Sequence, residues 1–382
     1  MNKKEITTII TLFIVWKLVE LSFASLGKLL FPLQTDFLGG GLLNYLRQPF
    51  FWSAINFDGE HYLAIAREGY LPLTYFYFPL YPLIIRSFSL AIGGSYISYA
   101  VSGLFISNIL LLVGLFGLYK LGQMFFDTRQ VMLSIVLILV FPTAFFLGAY
   151  YNETLFFALA VWSFYFSLKR RWLFSFALCG MATATRLVGV ALAISLIYEY
   201  LIENKKKIIT LTSFLYSALP VLGIVCYSTY LQISTGDFLA FIHNIEIFGG
   251  QRTSKIVLLP QVFYRYFFKI IPAVNYSYFP QVYVTFLELA VALLFLLAGY
   301  FVYKKMKMSF FIFYILAYLI PTFSGSFSSL PRYVLVIFPV FLVAGYYISM
   351  VRNNSIRYLI FSLLLLSNFL AQALFVRGYF VS

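Results

Sequence analysis

The sequence predicts an all-α polytopic membrane protein with about eleven transmembrane helices. Hydrophobic residues make up 62% of the 382 positions and charged residues only 10%, with a mean hydropathy of +0.91. Apolar runs of about 18 or more residues recur from end to end, and each can cross a hydrocarbon core about 30 Å thick. The short connections between the runs carry an excess of Lys and Arg, which is typical of cytoplasmic loops.

Eleven apolar runs are assigned as spans, which puts the N-terminus in the cytoplasm and the C-terminus outside. The predicted spans are residues 6–31, 98–119, 130–146, 153–168, 172–185, 188–202, 208–232, 282–303, 308–325, 333–350 and 357–376. The first run resembles a signal peptide but is too long and lacks a small-residue cleavage site, so we predict an uncleaved span. The stretch 172–202 is predicted as a short hairpin whose apex, 183–189, reaches the outer side without fully crossing.

A single membrane domain over residues 1–382 is the simplest organisation, with long outer segments at about 32–97 and 233–281. Both segments are rich in Tyr, Phe, Trp and Pro, as suits amphipathic rings at a membrane interface. The formal charge of +14 is assigned to topology, since no soluble basic domain is present to bind a nucleic acid. Cys179 and Cys226 lie inside apolar runs and are predicted to be buried thiols without a disulfide.

The most polar feature of the chain is the segment 56–62, which reads NFDGEHY. Acids held beside a bilayer usually have a function. From Asp58 onward the apolar residues recur with helical spacing, so we predict a helix lying along the interface. Asp58 would begin this helix. It is either a functional acid or only a cap for the free N–H groups of the first turn. Glu60 is either a site residue or a solvated acid. His61 is either a ligand or base, or a residue that only hydrogen-bonds a neighbour.

No dedicated metal site is predicted, because the chain has only two His and scattered acids. An external Asp–Glu pair holding a divalent cation stays an open alternative. Past the predicted helix, residues 75–82 (YFYFPLYP) combine aromatic rings with two prolines, which predicts an extended stretch. This stretch, Tyr81 included, either forms an interfacial belt or lines a groove for a lipid tail or a sugar ring.

Two arginines, Arg186 and Arg332, lie at the predicted outer ends of apolar spans. A cation so close to lipid is costly unless it is paired, and a guanidinium matches the oxygens of a phosphate. Each arginine is therefore either a phosphate ligand or an ordinary interfacial residue that meets lipid headgroups. Glu153 begins a span behind Asn152, where capping is the first interpretation and an accessory acid or acceptor contact is the second.

Several of these segments, taken in order, resemble the signature of the PIG-V-type mannosyltransferases, the second mannosyltransferase of GPI-anchor assembly and its prokaryotic relatives. The matching segments are FDGEHY at 57–62 with IA at 65–66 and GY at 69–70, FPLYP at 78–82, FP at 141–142 with AYYNE at 149–153, ATR at 184–186 with Gly189, and PRY at 331–333 with Pro339. They extend over about residues 50–340. The tryptophans that this family often has around its aspartate are replaced here by Phe57 and His61.

The resemblance implies a GT-C fold: a multi-span enzyme that transfers a sugar, usually mannose, from a polyprenyl-phosphate donor with inversion. The acceptor would be a lipid, a glycan or a protein, and the active site would face the outer side of the cell membrane. No cofactor is expected. The residues expected in the site are Asp58 as the base and, for donor phosphate or substrate binding, Arg186, Arg332, Glu60, His61, Tyr81 and Glu153.

Two other classes of protein are alternatives to a glycosyltransferase. A transporter or flippase of lipid-linked sugars is the main alternative, but such proteins tend to have inverted repeats and broken midplane helices, which the sequence does not indicate. A structural membrane subunit is the second alternative, and it would tolerate replacement of Asp58 and Arg186.

Overall fold

The computed structural model describes residues 1–72, 74–204, 216–244, 253 and 255–381, and within these residues no β-strand occurs. Part of the predicted span 208–232 and of the outer segment 233–281 lies outside the described residues. In chain order the α-helices are α1 (Lys3–Leu30), α2 (Gly41–Arg47), α3 (Pro49–Trp52), α4 (Asp58–Glu68), α5 (Leu80–Ala91), α6 (Tyr96–Gly122), α7 (Thr128–Leu139), α8 (Glu153–Leu168), α9 (Trp172–Thr183), α10 (Gly189–Glu203), α11 (Leu222–Thr235), α12 (Ala240–His243), α13 (Leu259–Arg265), α14 (Phe279–Lys305), α15 (Met308–Thr322), α16 (Leu330–Tyr333), α17 (Phe338–Met350) and α18 (Asn354–Val376).

Several helices begin at side chains that satisfy their free N–H groups. Asn2 and Glu5 form a reciprocal capping box at the start of α1, and Asp127 and Gln130 form another at α7. Ser95 caps α6. These signals are local in sequence, and they fix where the long helices start.

The predicted all-α, polytopic membrane class is confirmed. Five helices in the described part of the chain are long and apolar enough to cross a membrane, and a sixth span results if one bent pair is counted as a single span. The five are Lys3–Leu30, Tyr96–Gly122, Tyr216–Thr235, Phe279–Lys305 and Asn354–Val376. Other apolar helices are 10–17 residues long, so the number of eleven spans stays a prediction.

Three local predictions are wrong in detail. Cys226 is exposed, although Cys179 is buried as predicted. The run 130–146 is not one helix, because α7 ends at Leu139 and residues 140–152 form buried turns. Non-helical backbone of this kind is tolerated at membrane depth where it is buried in protein. The stretch 75–82 is not extended throughout, because α5 begins at Leu80. Pro82 lies in the first turn of that helix, where the missing N–H costs no hydrogen bond.

Close helix packing builds the core around these turns. Helix α6 packs on α8, α7 on α17, and α1 on α18. Gly103 of α6 lies against the ring of Tyr150, where even a Cβ atom would come within 2.0 Å of a ring carbon. A small residue at this position therefore lets the aromatic residues of the buried turns approach α6.

A sharp bend precedes α17. The segment Leu330–Val336 meets Phe338–Met350 at 81°, and Pro339 lies in the first turn after the bend. Kinks of this size are typical at proline. The bend places Arg332 inside the protein rather than along a continuous span, and its side chain is only 8% exposed.

The predicted helix after Asp58 is present as α4. Its buried positions include Tyr62, Leu63 and Ala66, whereas Arg67 is exposed. This is the amphipathic pattern that the sequence indicates. The apolar stripe packs on α5 and α6, which brings the first residue of α4 to the interior.

Candidate active site

Asp58 is the first residue of α4, and its side chain is turned toward two distant parts of the chain. Its Oδ1 accepts a hydrogen bond from the Tyr77 hydroxyl at 2.9 Å, and its Oδ2 accepts one from Arg332 Nη1 at 2.6 Å. Phe57 occupies the N-cap position, without a side-chain capping bond. The Asp58 side chain is 22% exposed, so a ligand can reach the carboxylate.

A chain of ion pairs extends inward from Asp58. Oε1 of Glu153 lies 3.3 Å from Nε of Arg332 and 2.8 Å from Nη1 of Arg186. The side chains of Arg186 and Glu153 are 9% and 1% exposed. Two carboxylates and two guanidinium groups thus form one buried cluster with no net charge, from four separate segments of the sequence. Buried charges are retained only when they are paired in this way.

Neighbouring residues hold the backbone on which this cluster is built. The Asn152 side-chain amide donates to the Thr185 carbonyl at 2.7 Å, which fixes the residues just before Glu153 and Arg186 against each other. The Thr143 hydroxyl donates to the Pro331 carbonyl at 2.6 Å. Buried side chain–backbone hydrogen bonds of this kind fix the positions of the charged residues next in sequence, Glu153, Arg186 and Arg332.

Aromatic rings surround the two guanidinium groups. The guanidinium carbon of Arg332 lies 5.4 Å from the ring centroid of Phe146, 5.2 Å from Tyr151 and 5.2 Å from Tyr333. The Arg186 guanidinium lies 5.0 Å from the same Tyr333 ring. Cation–π contacts strengthen when the cation is removed from water. The rings therefore offset part of the cost of removing both guanidinium groups from water.

The cluster lies on the wall of a cavity of about 390 Å³. Aromatic and aliphatic side chains form most of the remaining wall. They include Tyr62, Phe76, Tyr77, Phe78, Tyr151, Leu187, Val188, Ile320, Phe323 and Tyr333. A mostly apolar cavity with a few convergent charged groups is the usual form of a small-molecule site.

The environment of Asp58 sets its ionisation. Burial alone would raise the pKa of this carboxyl, but the charge and hydrogen bond of Arg332, the hydrogen bond of Tyr77 and the nearby His61 together hold the pKa below its ordinary value. Asp58 is therefore ionised at neutral pH and able to accept a proton from a ligand.

Replacing Tyr77 by Phe tests this environment through pH dependence. The variant loses one hydrogen bond to the ionised carboxylate, so the pKa of Asp58 should rise toward its ordinary value. Because the ionised form exists above the pKa, the acid-side midpoint of the activity profile should move to higher pH. The control is Tyr81→Phe, whose hydroxyl bonds Ser107 instead, and an equal movement in both variants would contradict the assignment.

Glu60 and His61 lie on α4 outside the set of described residues that line the cavity. Glu60 is half-buried, and burial raises its pKa to about 7 against the opposing effect of the Gly41 backbone N–H. The His61 ring stacks on Tyr77, with ring centroids 5.1 Å apart and planes 24° from parallel. His61 thus contacts the ring that bonds Asp58, whereas Glu60 takes no part in the ion-pair chain that the described residues form.

Tyr81 is not brought to the cavity wall. Its side chain is fully buried, and its hydroxyl lies 2.7 Å from Ser107 Oγ and 3.3 Å from the Gly103 carbonyl. Because α5 begins at Leu80, Tyr81 faces α6 rather than the charged cluster. The geometry favours packing as its role.

Sequence reasoning misses the partners that orient Asp58. Tyr77 belongs to the aromatic stretch 75–82, but nothing in its spacing marks it as the hydrogen-bond partner of Asp58. Asn56 opens the polar segment without a predicted role, although its side chain is fully buried. Among the described residues, no group of three or more His, Cys, Asp and Glu lies close enough to hold a metal ion.

Part of the sequence matches a known family. Residues 78–232, about two fifths of the chain, match the family model described as dolichyl-phosphate-mannose-protein mannosyltransferase. No curated protein matches the chain in sequence. The family match supports a glycosyltransferase of the GT-C superfamily, while membership of the PIG-V-type family stays a prediction.

Solved structures align with nearly the whole chain at low sequence identity. ArnT from Cupriavidus metallidurans bound to undecaprenyl phosphate is 16% identical, with a TM-score of 0.48 over 92% of this chain and 62% of that one. The oligosaccharyltransferase AglB from Archaeoglobus fulgidus, in complex with an inhibitory peptide and a dolichol-phosphate, is 12% identical, with a TM-score of 0.47 over 98% of this chain and 56% of that one. This chain thus spans less than two thirds of the length of these structures.

Proposed function

We propose that this chain is a membrane glycosyltransferase that moves a hexose, with mannose as the proposed sugar, from a polyprenyl-phosphate donor to a lipid, glycan or protein acceptor. The observation that carries the proposal is the contact of Asp58 with Arg332 at 2.6 Å on a cavity wall. A proton acceptor and a phosphate-binding cation then lie next to each other. The partial match to a dolichyl-phosphate-mannose mannosyltransferase family supports this chemistry.

The proposed reaction is a displacement at the anomeric carbon of the donor sugar. Asp58 takes the proton from an acceptor hydroxyl, whose oxygen attacks the anomeric carbon from the side opposite the phosphate. The bond between the anomeric carbon and the phosphate oxygen breaks, and the polyprenyl phosphate leaves with the electron pair. The products are the inverted glycoside, the free polyprenyl phosphate and a proton on Asp58.

Arg186 and Arg332 are proposed to stabilise the departing phosphate. Both guanidinium groups line the cavity and are almost fully buried, so their interaction with a charge that develops on the leaving group is weakly screened by water. Each is already held by Glu153, which reduces the reorganisation that the reaction requires. A planar guanidinium suits phosphate oxygens better than a lysine ammonium does.

The apolar part of the cavity is proposed to receive the start of the lipid tail. Phe76, Phe78, Leu187, Ile320 and Phe323 lie on the same wall as the charged residues. A donor with a charged phosphate between a sugar and a polyprenyl chain needs such a boundary between polar and apolar walls. We place this cavity on the outer side of the membrane, from the distribution of Lys and Arg in the short loops.

Transfer from a radiolabelled donor tests the proposal. The purified protein, reconstituted into vesicles with a membrane lipid extract as acceptor source, should consume polyprenyl-phosphate mannose and release free polyprenyl phosphate. Release of the free lipid phosphate reports transfer whatever the acceptor is. Protein-free vesicles serve as the blank.

The alternatives predict different products. Movement of intact polyprenyl-phosphate mannose between leaflets, without free polyprenyl phosphate, would favour a flippase and overturn the proposal. Release from polyprenyl-phosphate glucose but not from the mannose donor would keep the transferase and overturn only the proposed sugar.

A further inference from the structure

The backbone immediately before Asp58 adopts an unusual conformation. Phe57 has φ +57° and ψ −118°, a region that residues with a Cβ atom rarely occupy and that glycine occupies readily. We call residues 56–58 the elbow. Backbone strain of this kind persists only where the surrounding structure enforces it, and it clusters at functional sites.

Asn56 fixes the elbow on its N-terminal side. Its Oδ1 accepts from the Gly39 N–H at 2.8 Å, and its Nδ2 donates to the Phe375 carbonyl at 2.9 Å. Its own backbone carbonyl accepts a hydrogen bond from the Tyr151 hydroxyl at 2.8 Å. Three buried ties from three distant segments thus hold a single residue, which leaves little freedom for the peptide that follows.

The Phe57 ring fixes the elbow from the other side. It packs against Phe37, Phe375 and Phe380, with ring centroids 6.0, 5.8 and 5.7 Å away. The Phe57 N–H also donates to the Phe37 carbonyl at 3.0 Å. The packing of this half-buried ring and the backbone hydrogen bond offset the cost of the positive φ.

We infer that Phe57 is a positioning residue, whose positive φ aims the Asp58 carboxylate at Tyr77 and Arg332. A change of φ to an ordinary negative value would redirect the start of α4 and move the carboxylate from the cavity wall. The inference rests on the proposed function, since the aim of Asp58 matters to activity only if Asp58 is the base. Tyr151 links the elbow to the cluster, because its hydroxyl bonds Asn56 and its ring lies beside Arg332.

Two substitutions at one position separate the ring from the backbone. Phe57→Ala and Phe57→Gly both remove the ring, but only Ala retains the Cβ atom that disfavours a positive φ. Ala should therefore relax out of the elbow conformation, whereas Gly should keep it. We expect kcat per folded enzyme to fall about 10- to 100-fold in Phe57→Ala, as for a small displacement of a reacting group, with little change in donor KM, and Phe57→Gly to recover most of this loss.

Equal kcat per folded enzyme in the Ala and Gly variants would overturn the inference while leaving the proposed function intact. The proposed function fails separately if the wild-type protein releases no free polyprenyl phosphate, and the role of Asp58 as the base fails if Asp58→Asn retains wild-type turnover. If Phe57→Ala does not fold, Tyr151→Phe removes one tie to the elbow and keeps its ring. Its matched control is Tyr150→Phe, which removes an equally buried hydroxyl bonded to the Tyr99 carbonyl of α6. Only Tyr151→Phe should lower kcat at constant donor KM, and an equal effect in both would also overturn the inference.

Discussion

Asp58→Asn is expected to lower turnover by about 10²- to 10⁴-fold, the range that a positioned general base contributes. The amide has nearly the same shape as the carboxylate and keeps one oxygen that can accept from Arg332. It cannot take a proton from an acceptor hydroxyl. Donor affinity should change far less than turnover, because Asp58 acts on the acceptor and Arg332 keeps its contact with Glu153.

The control for this experiment is Glu68→Gln on the same helix. Glu68 is 49% exposed and pairs with the exposed Arg67 at 3.2 Å, so its loss should alter neither turnover nor unfolding temperature measurably. Turnover of both variants would be measured with saturating donor, and folding by thermal unfolding in the same detergent. Wild-type turnover in Asp58→Asn would exclude Asp58 as the base.

The sequence predicts the members of the charged cluster better than it predicts their contacts. A polar segment in an apolar chain marks Asp58, and charges at the ends of spans mark Arg186 and Arg332. A charge beside lipid must be paired, so each residue indicates an unseen partner. Which partner is a matter of helix packing: Arg332 contacts Asp58 across 274 positions of sequence, and no local pattern carries that information.

Prolines and the buried turns account for most of the differences between the predicted and the observed helices. The run 130–146 and the segment that follows are mostly apolar, so hydropathy does not distinguish α7 from the buried turns after Leu139. Proline at 82 favours extended backbone in the sequence, yet it is equally compatible with the first turn of a helix. In the structure Tyr81 lies in the first turn of α5 and its hydroxyl contacts α6.

The partner of the buried acid Glu288 is likewise not evident from the sequence. The Tyr266 hydroxyl donates to Oε2 of Glu288 at 2.6 Å from a separate segment. Phe327 packs on the Tyr266 ring, with centroids 4.7 Å apart. Through Tyr266, Glu288 connects α14 to the turn that precedes Arg332. Glu288 is not in the predicted site, but it supports the segment that carries Arg332.

Glu153→Gln is expected to destabilise the protein by about 3–5 kcal/mol, the usual effect of removing one partner from a buried ion pair. Oε1 of Glu153 lies within 3.3 Å of both arginines, so the variant leaves two neighbouring guanidinium groups with one carboxylate, Asp58, which contacts only one of them, Arg332. Arg186→Gln should destabilise for the opposite reason, because it leaves an excess of negative charge.

The double variant Glu153→Gln with Arg186→Gln restores the neutral cluster, and it should be more stable than the sum of the single effects by about 1–3 kcal/mol.

The effects of the three variants on lipid-phosphate binding should differ from their effects on stability, because the phosphate is proposed to need Arg186. Glu153→Gln should keep its affinity for polyprenyl phosphate, measured as the rise in unfolding temperature on binding, whereas both variants that lack Arg186 should lose it. Glu199→Gln, which breaks a pair with the 43% exposed Lys307, is the control and should cost at most about 1 kcal/mol. If stability and donor affinity fell together in all three cluster variants, the cluster would be a structural element and not a phosphate site.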